Sequence, residues 1–321
     1  MPIAPNKRAQ LAVILVPVLN PGTDGDRKRI GHVFIWDKTC GTRHAGRRLH
    51  ESAGPTPKSS CMSTEAHAPA FQYHRVDLHP YRALPLSLEM KSMTITSVNP
   101  ATSETLKTFT PLTKDQTLDA IGKADTAFDS WRKTSFAQRK KVMLKFADHL
   151  RQHAGEYSRL ITLDMGKRIS ESQGEIEYCA NIAEFYANGA ESFLADQPME
   201  VENTHAYIQY APLGVLMGVM PWNFPFYQVV RFATPNIMAG NTVMVKHASN
   251  VPQCAEAIAE AFADCGLPDG VYTNLFIPSE FVEVIVSDPR VQGISLTGSE
   301  KAGAAGAALA GQNLKRAVLE L

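Results

Sequence analysis

The stretch Val215-Leu-Met-Gly-Val-Met-Pro-Trp-Asn-Phe-Pro225 decides the fold of this chain. It consists of an apolar run of strand length, residues 215–220, and a proline-rich turn that carries a tryptophan and an asparagine. An apolar run bounded by turn residues is typical of a strand that is buried on both faces. The alternating segment 206–210 and the turn at 211–214 predict another strand just before it.

The unit of a strand followed by a helix repeats after residue 225. The pattern predicts strands at 242–246, 272–276, 293–297 and 316–321, and helices at 252–265, 280–286 and 299–311. Strands that alternate with helices favour a parallel sheet covered by helices. We therefore expect an α/β fold with a Rossmann-like parallel sheet, in which the last strand stops without a partner.

Three amphipathic patterns precede the sheet. Residues 115–131, 136–149 and 175–194 each place apolar side chains at helical spacing on one face. Such a stripe indicates a helix that packs its apolar face against a core. We expect three packing helices here.

The first 92 residues differ in composition from the rest of the chain. They hold nine of the 20 prolines and six of the 10 histidines, and their net charge is +6 against −6 for residues 93–321. No sustained apolar period runs through them, so burial would not offset the entropy of ordering them. We expect residues 1–92 to be a disordered extension, or sequence upstream of the true start, with a targeting or interaction arm as the alternative.

Composition argues against several classes of protein. Basic and acidic side chains balance at 32 each, so no global field favours nucleic acid, and no apolar run is long enough to span a membrane. The five cysteines, which show no C-x-x-C spacing, do not suggest a disulfide framework or a metal site; they are Cys40, Cys61, Cys179, Cys254 and Cys265. We expect a cytoplasmic protein that binds neither nucleic acid nor membrane.

Polar side chains follow four of the predicted strands. Asn223 lies in the turn after the first strand, and Lys246 ends the second. Gly298 and Ser299 follow the fourth, and Glu320 lies in the last. Ligands of open α/β sheets bind beyond the carboxyl ends of the strands, so these residues are candidates for chemistry. Taken singly, each has an ordinary explanation as a turn residue, a solvated lysine or a helix N-cap.

In this order and spacing, the motifs resemble those of the aldehyde dehydrogenase superfamily. The matching segments are Leu163-Asp-Met-Gly-Lys167, Pro221-Trp-Asn-Phe-Pro225, the strand-ending Lys246, Thr297-Gly-Ser299 and Leu319-Glu-Leu321. The resemblance covers residues 93–321 and about half of a typical family member, and it is closest to bacterial NAD(P)-dependent succinate-semialdehyde dehydrogenases. It implies that residues 93–321 are an incomplete N-terminal cofactor-binding domain.

The resemblance implies two catalytic residues. The amide of Asn223 would stabilise the oxyanion that forms when a thiolate attacks the aldehyde. Glu320 would act as the general base that activates water. The nucleophilic cysteine of the family lies roughly thirty residues beyond the motif that contains Glu320, and none of the five cysteines present falls there. We therefore expect this chain to lack aldehyde oxidation on its own, with a non-catalytic nucleotide-binding fragment as the alternative.

The resemblance also implies a cofactor, NADP or NAD. Lys246 would bind the ribose hydroxyls, and the pyrophosphate would lie at the helix that follows Ser299. Ser249 stands where NAD-preferring members often carry a glutamate, and its small neutral side chain leaves room for a 2′-phosphate. The residues expected to bind the cofactor are Pro221, Trp222, Lys246, Ser249, Gly298 and Ser299.

Phe224 and Arg231 are the expected substrate-binding residues. Arg231 lies eight residues after Asn223, just over two helical turns, which sets it near the face of Tyr227. By resemblance, its guanidinium would hold the far carboxylate of succinate semialdehyde. Spacing alone leaves open a solvated arginine or a partner for a nearby carboxylate. A complete family member is expected to be a homo-oligomer.

Overall fold

The computed structural model describes residues 94–200 and 206–321 of the chain, together with the two-residue strand β1. The strands are β1 Leu11–Ala12, β2 Ile95–Val98, β3 Thr105–Phe109, β4 Gln197–Met199, β5 Ala206–Ile208, β6 Tyr210–Ala211, β7 Val215–Met220, β8 Thr242–His247, β9 Tyr272–Asn274, β10 Val291–Thr297 and β11 Arg316–Glu320. The helices are α1 Lys114–Trp131, α2 Phe136–Gln152, α3 Ala154–Met165, α4 Ile169–Phe193, α5 Pro225–Ala239, α6 Pro252–Asp264, α7 Phe281–Ser287 and α8 Glu300–Gln312. Apart from β1, the predicted extension over residues 1–92 lies outside the described residues.

The centre of the fold is a five-stranded parallel sheet in the order β11-β10-β7-β8-β9. The expected parallel sheet covered by helices is confirmed. The expectation that the last strand lacks a partner is wrong, because β11 pairs with β10 from Arg316 opposite Gly293 to Glu320 opposite Thr297. Helix α8 connects these two strands, so it returns the chain to the edge of β10 in parallel register.

The order of the strands creates a switch point between β7 and β10. From β7 the chain moves outward through β8 to β9, and it then crosses back to build β10 and β11 on the other side of β7. The helices that follow β7 and β10 therefore diverge at their starts and leave a crevice beyond the carboxyl ends of these strands. In open α/β sheets this is where ligands bind.

Both faces of the sheet are covered by helices. Leu216 and Val243 belong to the core that α2 to α6 build, whereas Met217 and Met244 belong to the core that α1, α7 and α8 build. Gly218 faces the first core, where a Cβ atom would come within 2.7 Å of the Phe232 ring of α5. The absence of a side chain at Gly218 thus lets α5 lie close against the sheet.

Buried carboxylates cap the two helices that follow β7 and β8. Each helix starts with a proline, and neither N-cap residue supplies a side-chain cap. At α5, Glu175 Oε1 accepts hydrogen bonds from the backbone N–H groups of Phe226 at 2.9 Å and Tyr227 at 3.1 Å. At α6, Asp164 Oδ2 accepts one from Cys254 at 3.0 Å. A carboxylate suits this position because helix N-termini expose unpaired donors and a positive dipole end.

The predicted helices at 252–265, 280–286 and 299–311 correspond to α6, α7 and α8, whereas α5 was not among the predicted ranges. Residues 115–131 and 136–149 correspond to α1 and α2, and residues 175–194 correspond to the latter part of α4, which begins at Ile169. Helix α3 was not predicted. It ends at Gly166, whose φ of 79° is left-handed and breaks the helical run before α4. Within the ranges that the structure describes, each helix is too short or too polar to cross a lipid bilayer.

We expect Glu175→Gln to lower the free energy of unfolding by about 3 kcal/mol, measured by urea denaturation. Glu175 also forms an ion pair with Lys167, and the two side chains are only 1% and 7% exposed. The neutral amide would therefore leave a buried ammonium without its counter-charge. Glu177→Gln is the matched control, because Glu177 is an exposed residue of the same helix that pairs with Arg151 at the surface. Its expected loss is under about 1 kcal/mol, and equal losses for both variants would contradict the role of Glu175 as the buried counter-charge of Lys167.

Candidate active site at the carboxyl ends of the strands

The sheet brings the candidate residues of the sequence to one edge. Strand register places Lys246 beside Val219, and Glu320 beside Thr297. The turn with Asn223 leaves the end of β7 between them, and Gly298 follows β10. Asn223, Lys246, Gly298 and Glu320, which lie 22 to 97 positions apart in the chain, thus surround the switch-point crevice.

The turn after β7 is open to solvent. Trp222 is 50% exposed and Phe224 is 45% exposed, and Asn223 between them is exposed as well. Pro221 is half-buried at the end of the strand. An exposed amide with aromatic rings on both sides is suited to contact a ligand in the crevice rather than to pack in the core.

Lys167 and Glu175 contact this turn and the start of α5 from the buried side. The Lys167 ammonium lies 3.6 Å from the centroid of the Phe224 ring, in a cation–π contact, and it forms the buried ion pair with Glu175. Because Glu175 also caps α5, one network fixes the residue after Asn223 and the start of the helix that follows. Lys167 belongs to the motif 163–167, but nothing in its sequence pattern indicates this contact.

Lys246 projects from the opposite face of the sheet. It lies two positions after Met244, so its side chain lies on the face that α1, α7 and α8 cover. Burial lowers the pKa of Lys246, while the Glu280 carboxylate acts in the opposite direction. Its Nζ atom lies 3.4 Å from the carbonyl oxygen of His247, a long hydrogen bond that leaves donor capacity for a ligand.

His247, which was not a candidate from the sequence, joins two elements beside the crevice. Its Nε2–H donates to the carbonyl of Pro225 at 2.8 Å, and its Nδ1 accepts from the Ala248 N–H at 2.8 Å. A carbonyl only accepts and a backbone N–H only donates, so the ring is the neutral Nε2–H tautomer. Burial lowers the pKa of His247 to about 4. The ring joins the end of β8 to the first residue of α5, and the only sequence signal for it was its place beside Lys246.

Helix α8 starts at the far side of the crevice. Ser299 is its N-cap and accepts a hydrogen bond from the Ala302 N–H at 3.3 Å. Gly298 donates its N–H to the carbonyl of Glu320 at 3.0 Å, which holds the two strand ends together. The start of α8 points along the strand direction into the crevice, and such a helix end favours an anion.

Arg231, Thr297 and Glu320 form a polar cluster on the α5 face. The Arg231 guanidinium donates through Nη2 to Thr297 Oγ1 at 2.9 Å and forms an ion pair with Glu320. Its Nε–H donates to Gln228 at 2.9 Å, and the group lies 5.4 Å from the Tyr227 ring. The expected placement near Tyr227 agrees with the structure. Of the alternatives that spacing left open, a solvated arginine does not, because the Arg231 side chain is 5% exposed.

The donor set at the crevice fits a dinucleotide. It offers an ammonium at Lys246, a helix N-terminus after Ser299 and an exposed neutral hydroxyl at Ser249. At the end of β9, the Oδ1 atom of Asn274 is a buried acceptor with no hydrogen-bond partner among the described residues, beside the cavity that Ser249 helps to line. Positive and neutral donors of this kind suit phosphate and ribose groups. No group of three or more His, Cys, Asp or Glu in the described ranges could hold a metal ion.

None of the cysteines in the described ranges is activated. Cys179, Cys254 and Cys265 are free and buried. Burial raises the pKa of Cys179 and Cys254 well above the usual value, and raises that of Cys265 to about 11. Each thiol therefore stays protonated near neutral pH and is a poor nucleophile.

Fold and site together define a Rossmann-like α/β domain with a cleft suited to a dinucleotide. The sequence model of the aldehyde dehydrogenase family matches residues 88–321. The chain belongs to the aldehyde dehydrogenase family.

Individual relatives show which members of this family the chain resembles. The chain is 48% identical over 232 residues to a succinate-semialdehyde dehydrogenase [NADP(+)] of Mycobacterium leprae, which covers 71% of this chain and 51% of the relative. It is 45% identical over 225 residues to the enzyme of the same name from Deinococcus radiodurans, covering 70% and 47%. The crystal structure of succinic semialdehyde dehydrogenase from Streptococcus pyogenes in complex with NADP+ matches with a TM-score of 0.69 and 39% identity, over 71% of this chain and 50% of that one. The chain thus spans about half the length of these relatives.

We expect the stability of the protein to fall between pH 6.5 and about 4 because of His247. Its folded-state pKa is depressed, so the unfolded chain takes up a proton in this range that the folded protein rejects. The neutral His247 ring contributes about 3 kcal/mol to the free energy of unfolding. This contribution is fully present above pH 6.5 and is lost as the pH falls.

The test is urea denaturation at a series of pH values, with His247→Gln as the comparison. A glutamine keeps a donor and an acceptor but does not titrate, so the variant should show a shallower loss of stability over this range. His149, whose pKa burial also lowers, stays in both proteins and cancels in the difference. Identical slopes in the two proteins would show that His247 does not stay neutral in the fold.

Proposed function

We propose that this chain is the cofactor-binding and substrate-binding part of an oxidoreductase that oxidises succinate semialdehyde with NADP. The observation that carries the proposal is that the pair of Arg231 and Glu320 and the turn with Asn223 lie at the carboxyl ends of the strands at the switch point, while Lys246 lies on the other face of the sheet. The names of the relatives support the same reaction.

In this proposal each residue has a separate task. The Asn223 amide donates a hydrogen bond to the oxygen that becomes negative at the aldehyde carbon. Glu320 accepts a proton from the attacking water. NADP, when bound, supplies the hydride acceptor. Phe224 and Arg231 hold the carbon chain and the distal carboxylate of the substrate, so the aldehyde end points toward Asn223.

The proposed cofactor is NADP, with NAD as the alternative. Lys246 binds the ribose hydroxyls, and Gly298 and Ser299 present the start of α8 to the pyrophosphate. Pro221 and Trp222 line the cleft. Ser249 is exposed and carries no charge, so it does not repel a 2′-phosphate.

We propose that these 321 residues bind ligands without oxidising them. The thiols of the described ranges are buried and protonated, and none adjoins the cluster of Arg231 and Glu320. A nucleophilic thiolate is required before hydride transfer, so activity needs a cysteine other than these three. A nucleotide-binding chain without chemistry is the second candidate function, and the same buried thiols favour it.

Assembly and location are part of the proposal. The hairpin of β4 and β5 exposes Met199 and Tyr207, which are 52% and 42% exposed, and an apolar strand pair of this kind supports self-association of the complete protein. The free thiols at Cys179, Cys254 and Cys265 are consistent with the reducing cytoplasm.

Lys246→Ala is expected to weaken NADP binding roughly tenfold, which is the loss typical of a charge-assisted hydrogen bond. Isothermal titration of the full chain measures this. Lys145→Ala is the control, because Lys145 is an exposed lysine of α2 with the same charge and no place at the crevice. It should bind NADP as the parent does.

Equal weakening by both variants would show a general charge effect and would contradict the assignment of Lys246. The same preparation, mixed with NADP and succinate semialdehyde, is expected to give no increase in absorbance of the reduced cofactor. Turnover would show that a cysteine of this chain acts as the nucleophile.

A further inference from the structure

The guanidinium of Arg231, which is the proposed binding position (the carboxylate seat) for the distal carboxylate of the substrate, is already paired with the carboxylate of Glu320. The two side chains form an ion pair between the middle of α5 and the end of β11. The Arg231 side chain is 5% exposed, whereas that of Glu320 is 46% exposed. The arginine is therefore the fixed member of the pair, and the glutamate approaches it from the solvent side.

Arg231 is held in place without Glu320. Its Nε–H donates to Gln228, its Nη2 donates to Thr297, and its guanidinium lies over the Tyr227 ring. These contacts are neutral, so they orient the guanidinium but do not balance its charge. A buried cation without a counter-charge is costly, so some carboxylate must occupy the position that faces the crevice.

Glu320, in contrast, has an alternative environment. It lies on the edge strand β11, and within the part of the chain that the structure describes its only other side-chain hydrogen bond is a long one of 3.5 Å from Thr297 Oγ1 to Glu320 Oε2. A carboxylate that is half-exposed regains hydration when it leaves its partner, which offsets part of the lost attraction. The exchange of one carboxylate for another on Arg231 keeps the charge of the cluster constant.

We infer that the side chain of Glu320 occupies the carboxylate seat on Arg231. We infer also that an incoming substrate carboxylate displaces the Glu320 side chain toward the crevice. The inference rests on the proposed function and adds a coupling to it. A carboxylate paired with a guanidinium is a weaker proton acceptor, since the positive charge stabilises its anionic form. The general base is thus released only by a substrate that carries its own carboxylate, and an aldehyde without one leaves Glu320 paired.

The coupling makes Glu320 a determinant of specificity as well as a base. An uncharged aldehyde of the same length gains no contact at Arg231 and releases nothing. A substrate with a terminal carboxylate replaces the internal one and frees it at the moment the aldehyde lies near Asn223. Discrimination between the two then exceeds what the arginine contact alone provides.

The experiment is a calorimetric titration of the full chain with succinate, in the parent and in Glu320→Gln. The amide keeps the shape of Glu320 but competes for Arg231 without a charge. We expect the variant to bind succinate about tenfold more tightly, equivalent to ~1.4 kcal/mol. Glu283→Gln, which removes one negative charge from the exposed surface of α7, is the control and should bind as the parent does.

Three further results of this titration test the displacement of Glu320 and the binding of a carboxylate to Arg231. The double variant Arg231→Lys with Glu320→Gln should lose the gain, because an ammonium lacks the planar fork that binds a carboxylate through two bonds. Equal affinity of the parent and Glu320→Gln would overturn the displacement while leaving the carboxylate seat in place. Absence of succinate binding in both proteins would overturn the seat on Arg231 itself, and NADP binding through Lys246 would remain a separate result.

Discussion

The structure depends on how the starts of α5 and α6 are capped. Helices that follow the strands of a parallel sheet point their N-termini at the ligand crevice, and here neither helix has a capping side chain of its own. Glu175 and Asp164, from the helices that precede the sheet, supply the missing acceptors. Glu175 is held in turn by Lys167, which also contacts Phe224. The position of the turn that carries Asn223 is therefore set by residues about fifty positions away in sequence.

Strand alternation divides the crevice into two halves. Lys246 lies on the face of the sheet that α1, α7 and α8 cover, whereas Arg231, Thr297 and Glu320 meet on the face that α5 covers. Successive residues of a strand point to opposite faces, so neighbouring positions serve different halves. His247, next to Lys246, shows this directly, because its ring joins α5 rather than the crevice. The arrangement supports a cofactor on one side and a substrate on the other.

The sequence predicted what depends on local pattern. Apolar runs and helical stripes gave the parallel sheet and most helices, and strand ends gave Lys246 and Glu320 as candidates. What it did not predict depends on contacts between distant segments. The bonds from Glu175 to α5 span 51 and 52 positions, and the pair of Arg231 and Glu320 spans 89. We wrongly expected β11 to be unpaired. The partner of an edge strand is set by the path of the crossover helix before it, and the residues of the strand itself do not show that path.

The central claim is that the crevice between β7 and β10 binds NADP. Hydrogen exchange of the backbone amides, measured with and without saturating NADP, tests it most directly. The account predicts slower exchange in residues 221–226, 246–249 and 298–302, which surround the crevice from three strands, and unchanged exchange in α2 and α3. Protection confined to segments away from these strand ends, or no protection at a concentration that saturates binding, would contradict the account.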